Sequence, residues 1–355
     1  MSSTALRHHA TVCPPTLRLA AVVRGPEVTP SAPDAHGAPG RIRLFGGLLA
    51  TDRSLPGLPV AAHAGDGQFV LWHLDTYESN AEDVAHSRTA RVLGRIEYGN
   101  GAVVTLGETA NGTEVLVSDT GRFTLSADGA QITHLAPPDV DRAAVALDLI
   151  GVVLPVALHR DGAWCLHASA VKTPAGVIGF VAERGTGKST LAAACVRAGC
   201  TLVADDVVVL RESAAGIGVT PSGVPLRLHA DTARAVGAAS DDADNWGKVR
   251  IASDVAQHTL PLAAIYVLQA TDALGDVQRV PRVTRAAALA LLAHGKITAL
   301  LGGDAAAEAL SRCVSLAHRA AVYDFAVPRD LARLEEVTAR LLSWHTEAVP
   351  HEARV

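Results

Sequence analysis

Two groups of residues in the middle of the chain have the types and spacing to do chemistry. The first is Ala182-Glu183-Arg184-Gly185-Thr186-Gly187-Lys188-Ser189-Thr190. A glycine-bearing turn closing on Lys-Ser-Thr is a Walker-A-type phosphate loop. Its backbone N–H groups, and those of the helix it opens, can point inward at an anion. Lys188 can then reach the β- and γ-phosphates, and the Ser189 hydroxyl can sit on Mg²⁺. The first loop position is Ala182 rather than glycine, which fits if its φ is negative. The second group is Asp205-Asp206, sixteen residues beyond Ser189. Adjacent carboxylates between Thr201-Leu202-Val203-Ala204 and Val207-Val208-Val209-Leu210 are costly to bury for packing alone. Either the pair caps or turns a strand end, or one carboxylate supports Mg²⁺ while its neighbour takes a proton from an attacking hydroxyl. Strand alternation separates their directions without saying which is which. Asp205 is assigned here to the metal and Asp206 to the base.

The elements that must position these groups are legible around them. Val177-Ile178-Gly179-Phe180-Val181 has the length and composition of a buried strand, and Lys188 opens an Ala/Leu-rich helix. His167 falls on an apolar strand, Trp164 to Ala170, just ahead of the loop. It is either structural or close enough to the Asp pair to tune the base or steady phosphoryl charge. Arg227, on an extended segment, could reach the phosphates or make a surface salt bridge. In Trp246-Gly247-Lys248-Val249-Arg250-Ile251, alternation aims Lys248 and Arg250 the same way. That suits a phosphate clamp or a solvated strand face.

His167, the loop, and Gly199-Cys200-Thr201-Leu202-Val203-Ala204-Asp205-Asp206 together resemble the HPr serine kinase family. Its catalytic domain is similar to phosphoenolpyruvate carboxykinase. The flanks look still more like HPr-kinase-related proteins found beside ribosomally made peptides, including kinases of lasso-peptide precursors. Phe45-Gly46-Gly47-Leu48 through Ser54-Leu55-Pro56, then Gly247-Lys248-Val249-Arg250 and Leu260 to Leu268, carry that likeness. The resemblance spans residues 40 to 340 and implies an α/β P-loop core behind an amino-terminal, mainly-β domain. It also implies ATP and Mg²⁺, a peptide or small-protein serine as acceptor, an active-site role for His167, and a homo-oligomer. One departure is plain: the Arg-Gly-Leu-Gly motif of true HPr kinases, preceded by an acidic metal ligand, is absent in that form after Pro221. That removes the basis for a dephosphorylating activity and for HPr itself as substrate.

Composition bounds the remaining classes. The 355 residues allow two domains, and 49% hydrophobic content is ample for buried cores. A net charge of −5, with Lys and Arg unclustered, argues against nucleic-acid binding. No uninterrupted apolar run long enough for a membrane span is expected, nor a signal peptide. Five cysteines, Cys13, Cys165, Cys195, Cys200 and Cys313, lack metal-ligand spacing and read as reduced thiols of a cytoplasmic protein.

The expected organisation is a poorly specified segment over 1–38, a β domain over 39–138, a connecting helix over 139–160, a catalytic α/β domain over 161–345, and a tail over 346–355. Within the β domain, Asn111-Gly112 and Asp128-Gly129 predict hairpin turns through positive φ. His63, His73 and His134 are expected at the surface or half-buried. Asp139 is the expected N-cap of a helix that Pro155 should kink or end. Ser240 to Asn245 reads as an acidic rim loop. Two further function classes stay open: a nucleotide-dependent binding module with little turnover, and a small-molecule kinase.

Overall fold

The computed structural model describes residues 40–60, 70–85, 89, 91–237, 247–251, 253–272 and 275–347. The poorly specified amino-terminal segment expected over 1–38 lies outside them. So do His63, Cys13, the 240–245 rim and the tail from 348.

Short alternating strands joined by tight turns build the first sheet. Its eight strands lie in the order Gly40–Leu44, Gly47–Thr51, Val70–Glu78, Gln131–Ala136, Gly121–Ser126, Gly112–Val117, Val103–Thr109 and Arg91–Glu97. Neighbours are antiparallel except at Val70–Glu78, which runs parallel to the strands on both sides. The turn at Gly129 uses positive φ, as its Asp-Gly sequence predicts. The hairpin near Asn111 does not. Its two-residue loop is Ala110-Asn111, Gly112 opens the next strand opposite Thr109, and neither Asn111 nor Gly112 is left-handed. Glycine is needed there for a different reason: a Cβ would collide with the Leu125 carbonyl of the adjoining strand.

His134 also departs from expectation. It is 1% exposed, stacked on Phe123 at 4.2 Å, with its Nε2 donating to the Thr120 carbonyl at 2.8 Å. Burial pushes its pKa down to about 4. A histidine whose folded pKa is depressed favours the folded state most above its unfolded value, near 6.5, and that contribution is lost as pH falls toward 4. The melting-temperature gap between the protein and His134→Gln is therefore expected to narrow between pH 6.5 and pH 4, as read by thermal scans across that window. A constant gap would show that the ring does not titrate there.

The helical segment 142–160 starts later than predicted. Asp141, not Asp139, is the N-cap, accepting from the Ala143 N–H; Asp139 instead takes a left-handed φ of +58° before it. The helix survives Pro155 by widening. Pro155 has no N–H for the Gly151 carbonyl and its ring crowds that group. The turn before it is accordingly π-helical over Leu149–Val153, with the Leu154 N–H bonded to the Leu149 carbonyl. By length and a mean hydropathy of 1.7 the segment could cross a membrane, but 61% of its most apolar stretch is buried inside this protein. One core joins its side chains Val145, Leu149, Val153 and Val156 to Phe123 and Leu125 of the first sheet. Val207, Val209 and Ile297 of the later chain belong to the same core.

The second sheet is mixed. Thr201–Ala204, Ala168–Thr173, Gly176–Val181, Leu260–Thr271, Gly216–Thr220, Val208–Ser213 and Trp164–Leu166 follow one another across it, and Val322–Pro328 branches from Leu260–Thr271. Gly176–Val181 lies antiparallel to Ala168–Thr173 and parallel to Leu260–Thr271. Leu260–Thr271 is parallel to Val322–Pro328 as well. The chain is thus a mixed α/β protein. The single strand expected from Trp164 to Ala170 is divided at His167, because the chain changes partners there: Leu166 pairs with Val208, and Ala168 with Val181. Helices Thr284–Ala293 and Gly303–Arg319 pack on each other, and Lys188–Arg197 packs on Leu334–Ser343. Asp330 caps a 3₁₀ turn, Leu331–Arg333, ahead of that last helix. Cys165, Cys195, Cys200 and Cys313 are free thiols.

Candidate functional site

Strand Gly176–Val181 ends at the loop, and the loop ends in the helix Lys188–Arg197. Gly185 and Gly187 carry φ of +83° and +104°, where a side chain would be strained. Ala182 is not left-handed, so its replacement of the first glycine is accommodated. Glu183, Arg184 and Gly185 are exposed, Thr186 and Gly187 half-buried, and Ser189 and Thr190 open the helix. Lys188 is 7% exposed and folds back across the loop, donating to the carbonyls of Ala182 at 2.9 Å and Glu183 at 3.3 Å. Burial lowers its pKa, while Asp206 and Asp205 pull the other way. A cavity of about 260 Å³ adjoins the loop, bordered by Gly185, Gly187, Thr190, Val327, Asp330 and Leu334.

Asp205 and Asp206 sit in a break between strands Thr201–Ala204 and Val208–Ser213 rather than within one strand. Their divergence comes from the backbone: Asp206 is left-handed, with φ of +69°. Aspartate tolerates that region better than most residues, and such conformations concentrate at functional sites. The two carboxylates consequently live in different surroundings. Asp205 accepts from the Ser189 hydroxyl at 2.8 Å, from the Ser169 hydroxyl at 2.6 Å and from the Arg227 N–H at 3.4 Å. Asp206 faces His167 Nδ1 at 3.1 Å and accepts from Lys296 Nζ at 2.7 Å. Crowding by protein opposes its charge, but Lys296 and His167 hold the carboxyl well below the usual carboxylate range.

The structure thus gathers the loop, His167, Asp205, Asp206 and the main chain of Arg227. The ribbon Leu226–His229 and Lys248–Ile251 pairs Arg227 with Arg250 and His229 with Lys248. Arg250 packs its guanidinium against Gly57. Lys248 therefore shares a ribbon with Arg227 but lies on its other strand, across from His229.

Three residues escaped the sequence reading. Ser169 had a usable signal, since it stands two positions after His167 on an extended run and so shares its face. Lys296 had little: it is one cation in the polar break His294-Gly295-Lys296 that follows an Ala/Leu-rich helix, 90 residues from Asp206. His294 accepts the His167 N–H on its carbonyl at 2.8 Å. Burial lowers the pKa of its imidazole, which feels Glu183, Lys188 and His167.

No family model matches the chain, and no curated protein does. Among solved structures it is similar to the HPr(Ser) kinase/phosphatase from Coxiella burnetii. That likeness stands at 14% identity and a TM-score of 0.27, over 50% of this chain and 95% of that one. Values that low assign nothing, and the functional reading rests on the geometry of the site.

The donor set fits a magnesium nucleotide. Mg²⁺ takes oxygen ligands and keeps several waters, bound through one or two carboxylates and substrate phosphates. A serine hydroxyl and one carboxylate on a common hydrogen bond, where the glycine-bearing loop opens into its helix, are such a set. Among the described residues no group of three or more His, Cys, Asp or Glu forms a cage of its own.

Lys296 yields a direct test. Removing its cation in Lys296→Met should let the Asp206 pKa rise toward the ordinary carboxylate range. If Asp206 must be ionised for turnover, the acidic limb of the pH–rate profile then moves to higher pH. An unmoved limb in this variant would separate Asp206 from the titration that governs rate.

Proposed function

We propose that this protein is an ATP- and Mg²⁺-dependent phosphotransferase. Its acceptor is a hydroxyl, in our reading a serine of a ribosomally made, lasso-type precursor peptide or of a small protein. The observation that carries the reading is the division of two adjacent carboxylates beside a phosphate loop. One is hydrogen-bonded to the loop serine; the other is turned to a histidine and a lysine.

In this reading the loop amides and Lys188 hold the β- and γ-phosphates, and the cavity at Val327 and Leu334 lies where the nucleoside continues from them. Ser189 and Asp205 would hold Mg²⁺, which supplies charge neutralisation on the phosphates when bound. The acceptor hydroxyl is oriented by Asp206. As its oxygen bonds to the γ-phosphorus, the bond from that phosphorus to the β-phosphate bridging oxygen breaks, ADP leaves, and the hydroxyl proton passes to Asp206. A carboxylate held well below its usual pKa is a weak base. Phosphoryl transfer through a loose transition state asks little of the base and much of positioning and charge. Lys296 and Lys188 supply that charge, His167 positions the Asp206 carboxylate, and Arg227, Lys248 and Arg250 are further candidates on the ribbon.

The serine acceptor and the peptide class are supported by the sequence resemblance alone. The division into residues 39–138 and 161–345 belongs to this same proposal. The alternative of a binding module with little turnover draws on the Lys296–Asp206 tie, which occupies the candidate base. Purified protein incubated with γ-labelled ATP, Mg²⁺ and peptides encoded beside its gene decides between them. A gain of one phosphate on a peptide serine, read by mass spectrometry, is expected. Mg²⁺-dependent ATP binding without transfer would favour the binding module.

A further inference from the structure

Strand Ala168–Thr173 lies between the two strands that deliver the chemistry. On one side it pairs with Gly176–Val181, which runs into the glycine-bearing loop, and Ser169 stands opposite Phe180. On the other side it pairs with Thr201–Ala204, which runs into the Asp pair, and Ala170 stands opposite Ala204. Antiparallel neighbours step in opposite directions along the chain, so the residue after Ala204 arrives at the level of the residue before Ala170. Those two residues are Asp205 and Ser169, and their side chains meet: the Ser169 hydroxyl donates to Asp205 Oδ1 at 2.6 Å.

Ser169 is out of keeping with its strand. Ala168, Ala170 and Val171 around it are buried and apolar, and Ser169 is itself only 1% exposed. A hydroxyl so enclosed costs free energy unless it finds an acceptor. With no open face to offer a ligand, it can act on one only through Asp205. That carboxylate is held at both of its oxygens. Oδ1 also accepts from the Ser189 hydroxyl at 2.8 Å, and Oδ2 accepts from the Arg227 N–H at 3.4 Å. A serine hydroxyl has one hydrogen and two lone pairs. Ser189 spends its hydrogen on Asp205, which leaves its lone pairs for a cation. Ser169 therefore holds the carboxylate that in turn orients Ser189.

We propose that Ser169 is a positioning residue for the divalent cation, one that sets metal affinity rather than the rate of phosphoryl transfer. Without its hydrogen bond the Asp205 carboxylate is free to rotate, and the pair it makes with Ser189 has to be reassembled each time the cation binds. The inference rests on the assignment of Ser189 and Asp205 to Mg²⁺, and its test keeps the two apart.

ATP is titrated calorimetrically into the full chain, once with saturating Mg²⁺ and once in a chelator. The ratio of the two affinities measures what the metal contributes. In Ser169→Ala that ratio should fall by about tenfold or more, the scale of losing a hydrogen-bond partner behind a metal ligand. Affinity for ATP in the chelator should not change. The Mg²⁺ concentration for half-maximal transfer should rise by a similar factor of about ten, with kcat at saturating Mg²⁺ close to the parent value. Ser169→Thr keeps the hydroxyl and suits a strand, so it should restore most of the lost ratio. Ser169→Cys, with a much weaker donor, repeats the loss should Ser169→Ala fold poorly.

A merely structural serine would weaken ATP equally with and without Mg²⁺, and that result, or an unchanged ratio in both the alanine and cysteine variants, would overturn the proposal. A parent protein whose ATP affinity ignores Mg²⁺ would overturn it together with the metal assignment. The expected loss of ratio in a protein that transfers no phosphate to any acceptor would uphold Ser169 and overturn the kinase.

Discussion

Asp206→Asn is expected to lower phosphoryl transfer by roughly 10²–10⁴-fold, the range for removing a general base, while leaving Mg²⁺-dependent ATP binding intact. The substitution is well posed because it changes little else. Asparagine, like aspartate, tolerates the left-handed backbone that position 206 requires. The side chain is half exposed, so no deep hole is left behind, and the asparagine amide oxygen can still accept from Lys296. Ser189, Ser169 and the Arg227 N–H all address the neighbouring Asp205, so the metal-side contacts survive. Single-turnover transfer, measured beside calorimetric titration of ATP, separates the two effects. A variant that transfers phosphate at the parent rate would remove Asp206 from the reaction and leave it a structural partner of Lys296 and His167.

The second large effect is at Lys188. Lys188→Ala should cost at least about 10²-fold in transfer, as for loss of one preorganised charge-stabilising donor. Unlike Asp206→Asn, it should also weaken ATP. A charge-assisted hydrogen bond contributes about 1.5–3 kcal/mol, or on the order of 10- to 100-fold in affinity. The ammonium now donates to two loop carbonyls, which its loss would leave facing the loop interior. Stability should fall as well, by about 1–3 kcal/mol, because the buried Ala182 carbonyl loses its donor. Parent-like ATP affinity in this variant would place the phosphates somewhere other than the loop. The contrast between the two variants, one losing rate alone and the other losing both, is the pattern a phosphotransferase requires.

How much of this was legible in the sequence depended on the range over which each feature is determined. The strand–loop–helix around Lys188 is local: an apolar run, two glycines with positive φ, and an Ala/Leu-rich helix are written in consecutive residues. The divergence of Asp205 and Asp206 was also foreseeable, though its cause was not. Alternation predicts opposed side chains on one strand, whereas here a left-handed residue between two strands turns them apart. The division of the expected Trp164–Ala170 strand reflects partners, Val208 and Val181, that no local pattern announces. Lys296 is the clearest case: the turn after one helix meets Asp206 because Gly295, just before Lys296, bridges to Leu166, just before His167. His134 was misplaced because a histidine's burial is set by what stacks on it, here Phe123 across the sheet.

The parallel pairing of Gly176–Val181 carries a consequence for how the protein is made. That strand holds the loop, yet one of its two neighbours is Leu260–Thr271, which in turn is flanked by Val322–Pro328. A ribosome extends the chain from the amino terminus at about 5–20 residues per second. The loop therefore emerges several seconds before the strands that brace it. Until then the apolar edge of Gly176–Val181 is open to wrong partners, and long-range parallel pairing is slow to form. The nucleotide binding proposed for the loop would thus be a late event in the protein's synthesis, available only when nearly the whole chain has left the ribosome. A chain released early would carry the Lys-Ser-Thr motif without a pocket to use it.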